Sequence, residues 1–271
     1  MFHDPWIAAL VALFLWWFAT GAILVVVKLA DRGGKRVGQI CTWAALPLFG
    51  IGLWGFWETM DDPSLAGIYH GFLSALAVWG WVELAFLTGT ISGPNLHFCR
   101  DDIAEWERFI RAWGTIAYHE MLLVGLIIGL GLMTWEADNA FGFWTFAVLF
   151  FARISAKLNL FLGVPKINTE FLPQALSHLP SHFRIASGNP LFPISITALT
   201  FAVACWLERI VSAQSLADTV GFALLAALTA LALLEHWFMV LKLPDEKLWR
   251  WMMPAPKPNL EKTPTEDAHG L

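Results

Sequence analysis

The chain has 271 residues, of which 57% are hydrophobic and 14% charged, and its mean hydropathy is +0.59. These values exclude an ordinary soluble domain of this size and indicate an integral membrane protein surrounded by lipid. The formal net charge of −5, without any basic tract, excludes nucleic acid as an expected partner.

Seven apolar stretches, each roughly long enough to cross a bilayer as a helix, follow one another along the chain. We predict an all-α polytopic bundle with spans at Pro5–Val27, Gln39–Trp57, Leu65–Leu87, Gly114–Met133, Gly142–Leu162, Pro193–Val211 and Val220–Leu241. Basic residues gather after spans one, three, five and seven, whereas acidic residues dominate the other connections. The positive-inside rule therefore places the N-terminus outside and the C-terminus in the cytoplasm.

The spans form one predicted transmembrane domain, residues 1–253, which includes two structured cytoplasmic segments. Apolar residues recur at helical spacing near residues 101–113, which predicts an amphipathic helix on the membrane surface. The segment 163–193 is long, apolar and rich in Pro, and we expect it to be ordered. The last residues, 254–271, combine Pro and charge with few aliphatic residues, which predicts a disordered tail.

Ionisable side chains occur inside or at the edge of four spans, where lipid makes them costly and where they mark a site or an ion-pair network by default. These residues are Glu83, His119, Glu120, Arg153, Lys157, Glu235 and His236. With a helical rise of 1.5 Å per residue, all seven fall in one cytoplasmic layer roughly 10 Å thick. Asn159 extends this polar layer.

Three interpretations of the layer stay open from the residues alone. It is a buried network in which carboxylates offset Arg153 and Lys157, or a pocket for an amphiphilic ligand or a chlorin metal. The third is a metal site, with candidate ligands Glu83, His119, Glu120, Glu235 and His236. Soluble di-iron bundles space Glu and His by three residues, whereas this chain has them only as neighbours, and two cations in the layer would repel a metal.

Two further patterns carry structural expectations. Gly125 and Gly129 form a GxxxG motif, which we assign to close packing inside the bundle. His178 and His182 have a spacing that suits a metal on a helix, but Pro180 between them favours a solvated loop.

The sequence KLNLFLGVPKINTEFLP from Lys157 to Pro173, followed by NPLFPIS from Asn189 to Ser195, resembles the signature of the PuhE family. This family comprises photosynthetic complex assembly proteins of purple and related phototrophic bacteria. Length, span count and the acidic and His positions are also similar, so the resemblance covers about residues 5–250. The chain departs from the pattern at Lys166, where Asn is usual, and at His178 and His182, where aromatic residues are usual.

The resemblance implies a factor of the bacterial inner or intracytoplasmic membrane. It would act in assembly of reaction-centre and light-harvesting complexes or modulate bacteriochlorophyll supply, with their subunits and pigments as partners. On this hypothesis Arg153 and Lys157 bind an acidic ligand group, the three Glu residues position them, and His119 or His236 ligates the magnesium of a bacteriochlorophyll or precursor. The alternative is a membrane enzyme with a Glu/His metal centre, with iron as one candidate metal, acting on a tetrapyrrole or isoprenoid; the non-enzymatic role is favoured.

Overall fold

A computed structural model of the protein describes residues 3–241 apart from 101, 168, 170 and 171. Within this range the chain forms seven α-helices and no β-strand, which confirms the all-α prediction. The helices are α1 Pro5–Ala44, α2 Leu46–Thr59, α3 Leu65–Leu87, α4 Glu105–Met133, α5 Phe141–Leu162, α6 Leu191–Ser212 and α7 Leu216–Phe238. Six helical stretches are long and apolar enough to cross a membrane, the first being the combined Pro5–Thr59. The predicted tail lies outside the described residues.

The first helical stretch is broken at Gly34, which has φ 74° and ψ −174°. A methyl group on Gly38 would lie 3.8 Å from the Cβ of Ala30. In a continuous helix, residues eight apart are separated by about 12 Å along the axis. The chain therefore folds back at Gly34, between the stretches predicted as spans one and two.

α3 lies at the centre of the bundle, and α1, α2, α5 and α7 pack around it. Its residues Phe72 and Val82 are fully buried, and Trp79 meets the ring of Phe146 in α5 edge to face. Ser64 caps the start of this helix by accepting a hydrogen bond from the Gly67 amide. α6 packs mainly on α7 and leaves most of its side chains facing outwards.

α4 runs without interruption from Glu105 to Met133, so the amphipathic segment expected near residues 101–113 is not a separate helix. Its 29 residues span about 44 Å, more than the hydrocarbon core of about 30 Å. Gly93 packs directly on the carbonyl oxygen of Gly114 in this helix, where a side chain would not fit. The expectation of internal GxxxG packing was wrong, since methyl groups on Gly125 and Gly129 would meet nothing within 4 Å.

Residues 172–190, which we call the cap, cross one end of the bundle and contain two 3₁₀ turns, Gln174–Leu176 and Leu179–His182. Arg108 of α4 donates hydrogen bonds of 2.9 Å to the carbonyl oxygens of His182 and Phe161. His178 and His182 are 4% and 2% exposed, so the expectation of a solvated loop was wrong. The His182 Nε2 atom lies 3.2 Å from the carbonyl oxygen of His97.

The bend in α1 and the end of α3 lie at the same end of the bundle as the cap, which we call the cap end. Asp31 accepts a hydrogen bond of 3.3 Å from the amide of Gln174 in the cap. Thr42 and Thr88 place their hydroxyl oxygens 2.7 Å apart. The amide of Lys166 donates to the carbonyl oxygen of Met239, just after α7, at 3.0 Å.

Candidate functional site

Five of the predicted site residues meet near the cap end, and we call them the charged cluster: Glu83, His119, Glu120, Arg153 and Lys157. Arg153 Nη2 donates to Glu83 Oε2 at 2.8 Å, and Lys157 pairs with Glu120. The Glu120 and Glu83 side chains are only 2% and 11% exposed, whereas Arg153 is 35% exposed. Two ion pairs thus join α3 and α4 to α5.

The ring of Phe86 in α3 lies against three members of the charged cluster. Its ring centroid lies 4.4 Å from that of His119. Lys157 Nζ and Arg153 Cζ lie 5.3 and 5.9 Å from the same centroid, within the range of a cation–π interaction. Sequence analysis missed Phe86, although it stands three residues after Glu83 and therefore shares its helix face.

The charged cluster contains buried polar atoms without a hydrogen-bond partner among the described residues. They are both ring nitrogens of His119, Glu83 Oε1, Glu120 Oε2 and Arg153 Nε. Native proteins leave few such atoms, because each unsatisfied group costs roughly 1–3 kcal/mol. The cluster therefore has free capacity to bind water or a ligand, and most of that capacity accepts hydrogen bonds.

The free atoms restrict what the charged cluster can bind. Arg153 and Lys157 already face carboxylates, so an acidic ligand would be repelled by Glu83 and Glu120, and only Arg153 Nε is a free donor for it. A group that donates hydrogen bonds to the free carboxylate oxygens, or takes a lone pair from His119, meets no such repulsion. The arrangement thus favours donor groups over acidic ones.

Asn159 and His236 belong to a second polar network beside the charged cluster. Asn159 Nδ2 donates to the Ser155 carbonyl and to Ser195 Oγ of α6, both at 2.9 Å. His236 Nδ1 lies 2.8 Å from the Ala232 carbonyl, which can only accept, so Nδ1 carries the proton. The Nε2 lone pair then accepts from Ser155 Oγ at 2.8 Å. Of the two candidate imidazole ligands, His119 and His236, only His119 has a ring nitrogen without a partner among the described residues.

Glu235 lies apart from the charged cluster, on the outer surface of α7. Its Oε1 accepts a hydrogen bond of 3.2 Å from the indole of Trp16 in α1. Arg153 still interacts with this carboxylate electrostatically. Adjacent residues on a helix point about 100° apart, so Glu235 and His236 face different surroundings.

The free side-chain atoms of the charged cluster suit a single bond from one imidazole to a metal better than a metal centre held by several side chains. In the part of the chain that the structure describes, no three His, Cys, Asp or Glu side chains are arranged to hold a metal ion. Glu83 and Glu120 are also engaged with cations. A chlorin magnesium needs one imidazole, and His119 has both nitrogens free, but its side chain is 0% exposed. Access to His119 requires movement of the groups that cover it.

Comparison with known proteins places the chain in a family. Residues 2–259 match the family described as "Protein of unknown function (DUF3623)". The chain belongs to this family. A relative from Rhodobacter capsulatus, described as an uncharacterized 30.4 kDa protein in the puhA 5′ region, is 53% identical over 253 residues. The match covers 93% of this chain and 92% of the relative. No solved structure matches the chain.

Proposed function

We propose that this DUF3623 protein is a membrane factor for assembly of photosynthetic reaction-centre and light-harvesting complexes, or for modulating their bacteriochlorophyll supply. The observation that carries the proposal is the 53% identity to a protein whose gene lies in the puhA region of a photosynthetic bacterium. The resemblance of residues 157–173 and 189–195 to the PuhE signature supports the same role.

The chain crosses the bacterial inner or intracytoplasmic membrane seven times, with the N-terminus outside and the cap in the cytoplasm. The fold-back at Gly34 supports two crossings within Pro5–Thr59. The contacts among the α1 bend, the end of α3 and the cap support a common side for these segments. Four basic residues around the bend support a cytoplasmic location for that side: Lys28, Arg32, Lys35 and Arg36.

The charged cluster engages a pigment or pigment precursor at the cytoplasmic side. A bound chlorin would supply a magnesium atom as a Lewis acid, and His119 would hold it, because its ring nitrogens have no partner among the described residues. Glu83 and Glu120 each have one carboxylate oxygen free to accept a hydrogen bond from the ligand. Asn159 and His236 fix α5 against α6 and α7, and Glu235 fixes α7 against α1.

The test deletes the gene in a phototrophic host, or replaces it with a variant, and measures the absorption of reaction-centre and light-harvesting complexes in membranes. Deletion should lower complex levels, and His119→Phe should do so severalfold while the amount of the protein stays constant. Arg209→Ala is the control. This cation of α6 lies 5.7 Å from the centre of the Phe222 ring and is not part of the charged cluster. Normal complex levels in the deletion strain would refute the proposed role.

A further inference from the structure

The cap closes the charged cluster at the cap end. Phe86 covers His119, and Leu176 and Leu179 of the cap pack on Phe86 in a small apolar group of their own. Leu176 is 0% and Leu179 5% exposed. Among the described residues, the buried members of this apolar group come only from α3 and the cap. Removing the cap would therefore uncover Phe86 and leave its ring free to turn away from His119.

Polar contacts, some of them exposed, also attach the cap to α4. Arg108 donates to the cap at the His182 carbonyl, and Arg184 of the cap pairs with Glu105. The Glu105 side chain is 67% exposed, and exposed ion pairs contribute little to stability. The two 3₁₀ turns have three and four residues, too few to be stable without their packing.

The closed state carries a cost that a ligand would remove. It buries both nitrogens of His119 and one carboxylate oxygen each of Glu83 and Glu120 without partners. A ligand that satisfies these atoms needs an open state to enter and stabilises the complex once it is bound. We propose that the cap is a movable cover that opens at the aqueous side and admits a ligand's polar group to His119. This inference rests on the proposed ligand site but not on its photosynthetic role.

Gly89 offers a second way to displace the cap. It has φ 70°, and a methyl group there would lie 2.8 Å from the Cβ of Ala175 in the cap. Both the strain of that backbone conformation and the contact oppose a side chain at this position. Gly89→Ala should therefore push the cap away without touching the charged cluster.

The experiment measures the reactivity of a cysteine at position 119 in detergent-solubilised protein. His119→Cys is introduced after Cys41, Cys99 and Cys205 have been changed to Ser, and a charged methanethiosulfonate is the probe. Adding Arg108→Ala should raise the labelling rate about tenfold or more, because the hydrogen bond from this charged donor to the cap is lost. Arg111→Ala is the matched control, since Arg111 lies one turn further along α4 and pairs with Glu107.

Equal labelling rates in the Arg108→Ala and Arg111→Ala backgrounds would overturn the proposal, as would rapid labelling without either substitution. Leu225→Cys, fully buried in α7, must stay unlabelled in each background if the fold is intact. If Arg108→Ala unfolds the protein, Gly89→Ala gives the same test. The labelling rates do not depend on whether the protein acts in photosynthesis. The cap proposal and the proposed function can therefore fail separately.

Discussion

Each carboxylate of the charged cluster depends on the cation that faces it. Glu83 is 11% exposed beside Arg153, and Glu120 is 2% exposed beside Lys157. A buried ion pair adds little over an apolar pair of the same shape, whereas removal of one partner leaves an uncompensated charge. The pairs therefore add little net stability, whereas the loss of one partner would be costly.

Arg153→Met should destabilise the protein by about 3–5 kcal/mol, because it leaves the buried carboxyl group of Glu83 without its cation. Glu83→Leu together with Arg153→Met should recover most of that loss. Reversible unfolding in mixed micelles measures both free energies. A double variant as unstable as Arg153→Met alone would contradict this account of the pair.

The sequence predicted the residues of the charged cluster but not their partners. Depth along each span follows from residue number, and it placed Glu83, His119 and Arg153 in one layer. The direction of each side chain around its helix depends on packing, which separates His119 from His236 and Glu235 from the cluster. The free nitrogens of His119 follow from these contacts and have no signal in the sequence.

At the scale of elements, the bend in α1 depends on one backbone conformation. Gly34→Ala should cost about 1–2 kcal/mol, because φ 74° is unfavourable for a residue with a Cβ. A methyl group at this position meets nothing within 4 Å, so backbone strain is the whole effect. Gly50→Ala, in α2 with equally open space, should be neutral or stabilising. Equal thermal shifts for the two variants would contradict the strained bend.

Cap closure should weaken in acid. Burial lowers the pKa of His178 and of His182. The charges of the His182 and His97 imidazoles lower the pKa of His178 further. The hydrogen bond to the His97 carbonyl raises the pKa of His182, whereas the charges of Arg108 and Arg111 lower it. Each closed-state pKa lies below the ordinary value of about 6.5, so the open cap binds protons more tightly. Closure is then fully stabilised above that value and is lost as the pH falls through it.

The labelling rate of His119→Cys, divided by that of an exposed Arg100→Cys, measures this dependence. The ratio should rise between pH 7.5 and pH 5.5, on either side of about 6.5. Replacement of both His178 and His182 by Phe should abolish the rise. A ratio independent of pH in the parent protein would show that these imidazoles do not control the cap.

At the scale of the whole molecule, composition and periodicity were enough for the helices, because apolar stretches of bilayer length allow few alternatives. The predicted span Leu65–Leu87 coincides with α3. The merging of residues 105–113 into α4 and the burial of the cap histidines could not be predicted. Both depend on contacts between distant segments, such as Gly93 on Gly114 and Arg108 on His182.

Reporter fusions test the proposed orientation. Alkaline phosphatase fused after Asp138, between α4 and α5, should be active, because that connection is proposed to lie outside. Fusion after Leu271 should be inactive as phosphatase and fluorescent as a green fluorescent protein fusion. The opposite pattern would place the cap and the charged cluster on the outer side and contradict the account.

The most direct test of the ligand site is the absorption spectrum and metal content of the protein purified gently from a phototrophic host. We expect a bound chlorin without transition metal. His119→Phe should lose the chlorin, whereas His70→Phe, an exposed position in the opposite half of α3, should retain it. Stoichiometric iron, or a chlorin bound equally by both variants, would contradict a pigment site at His119.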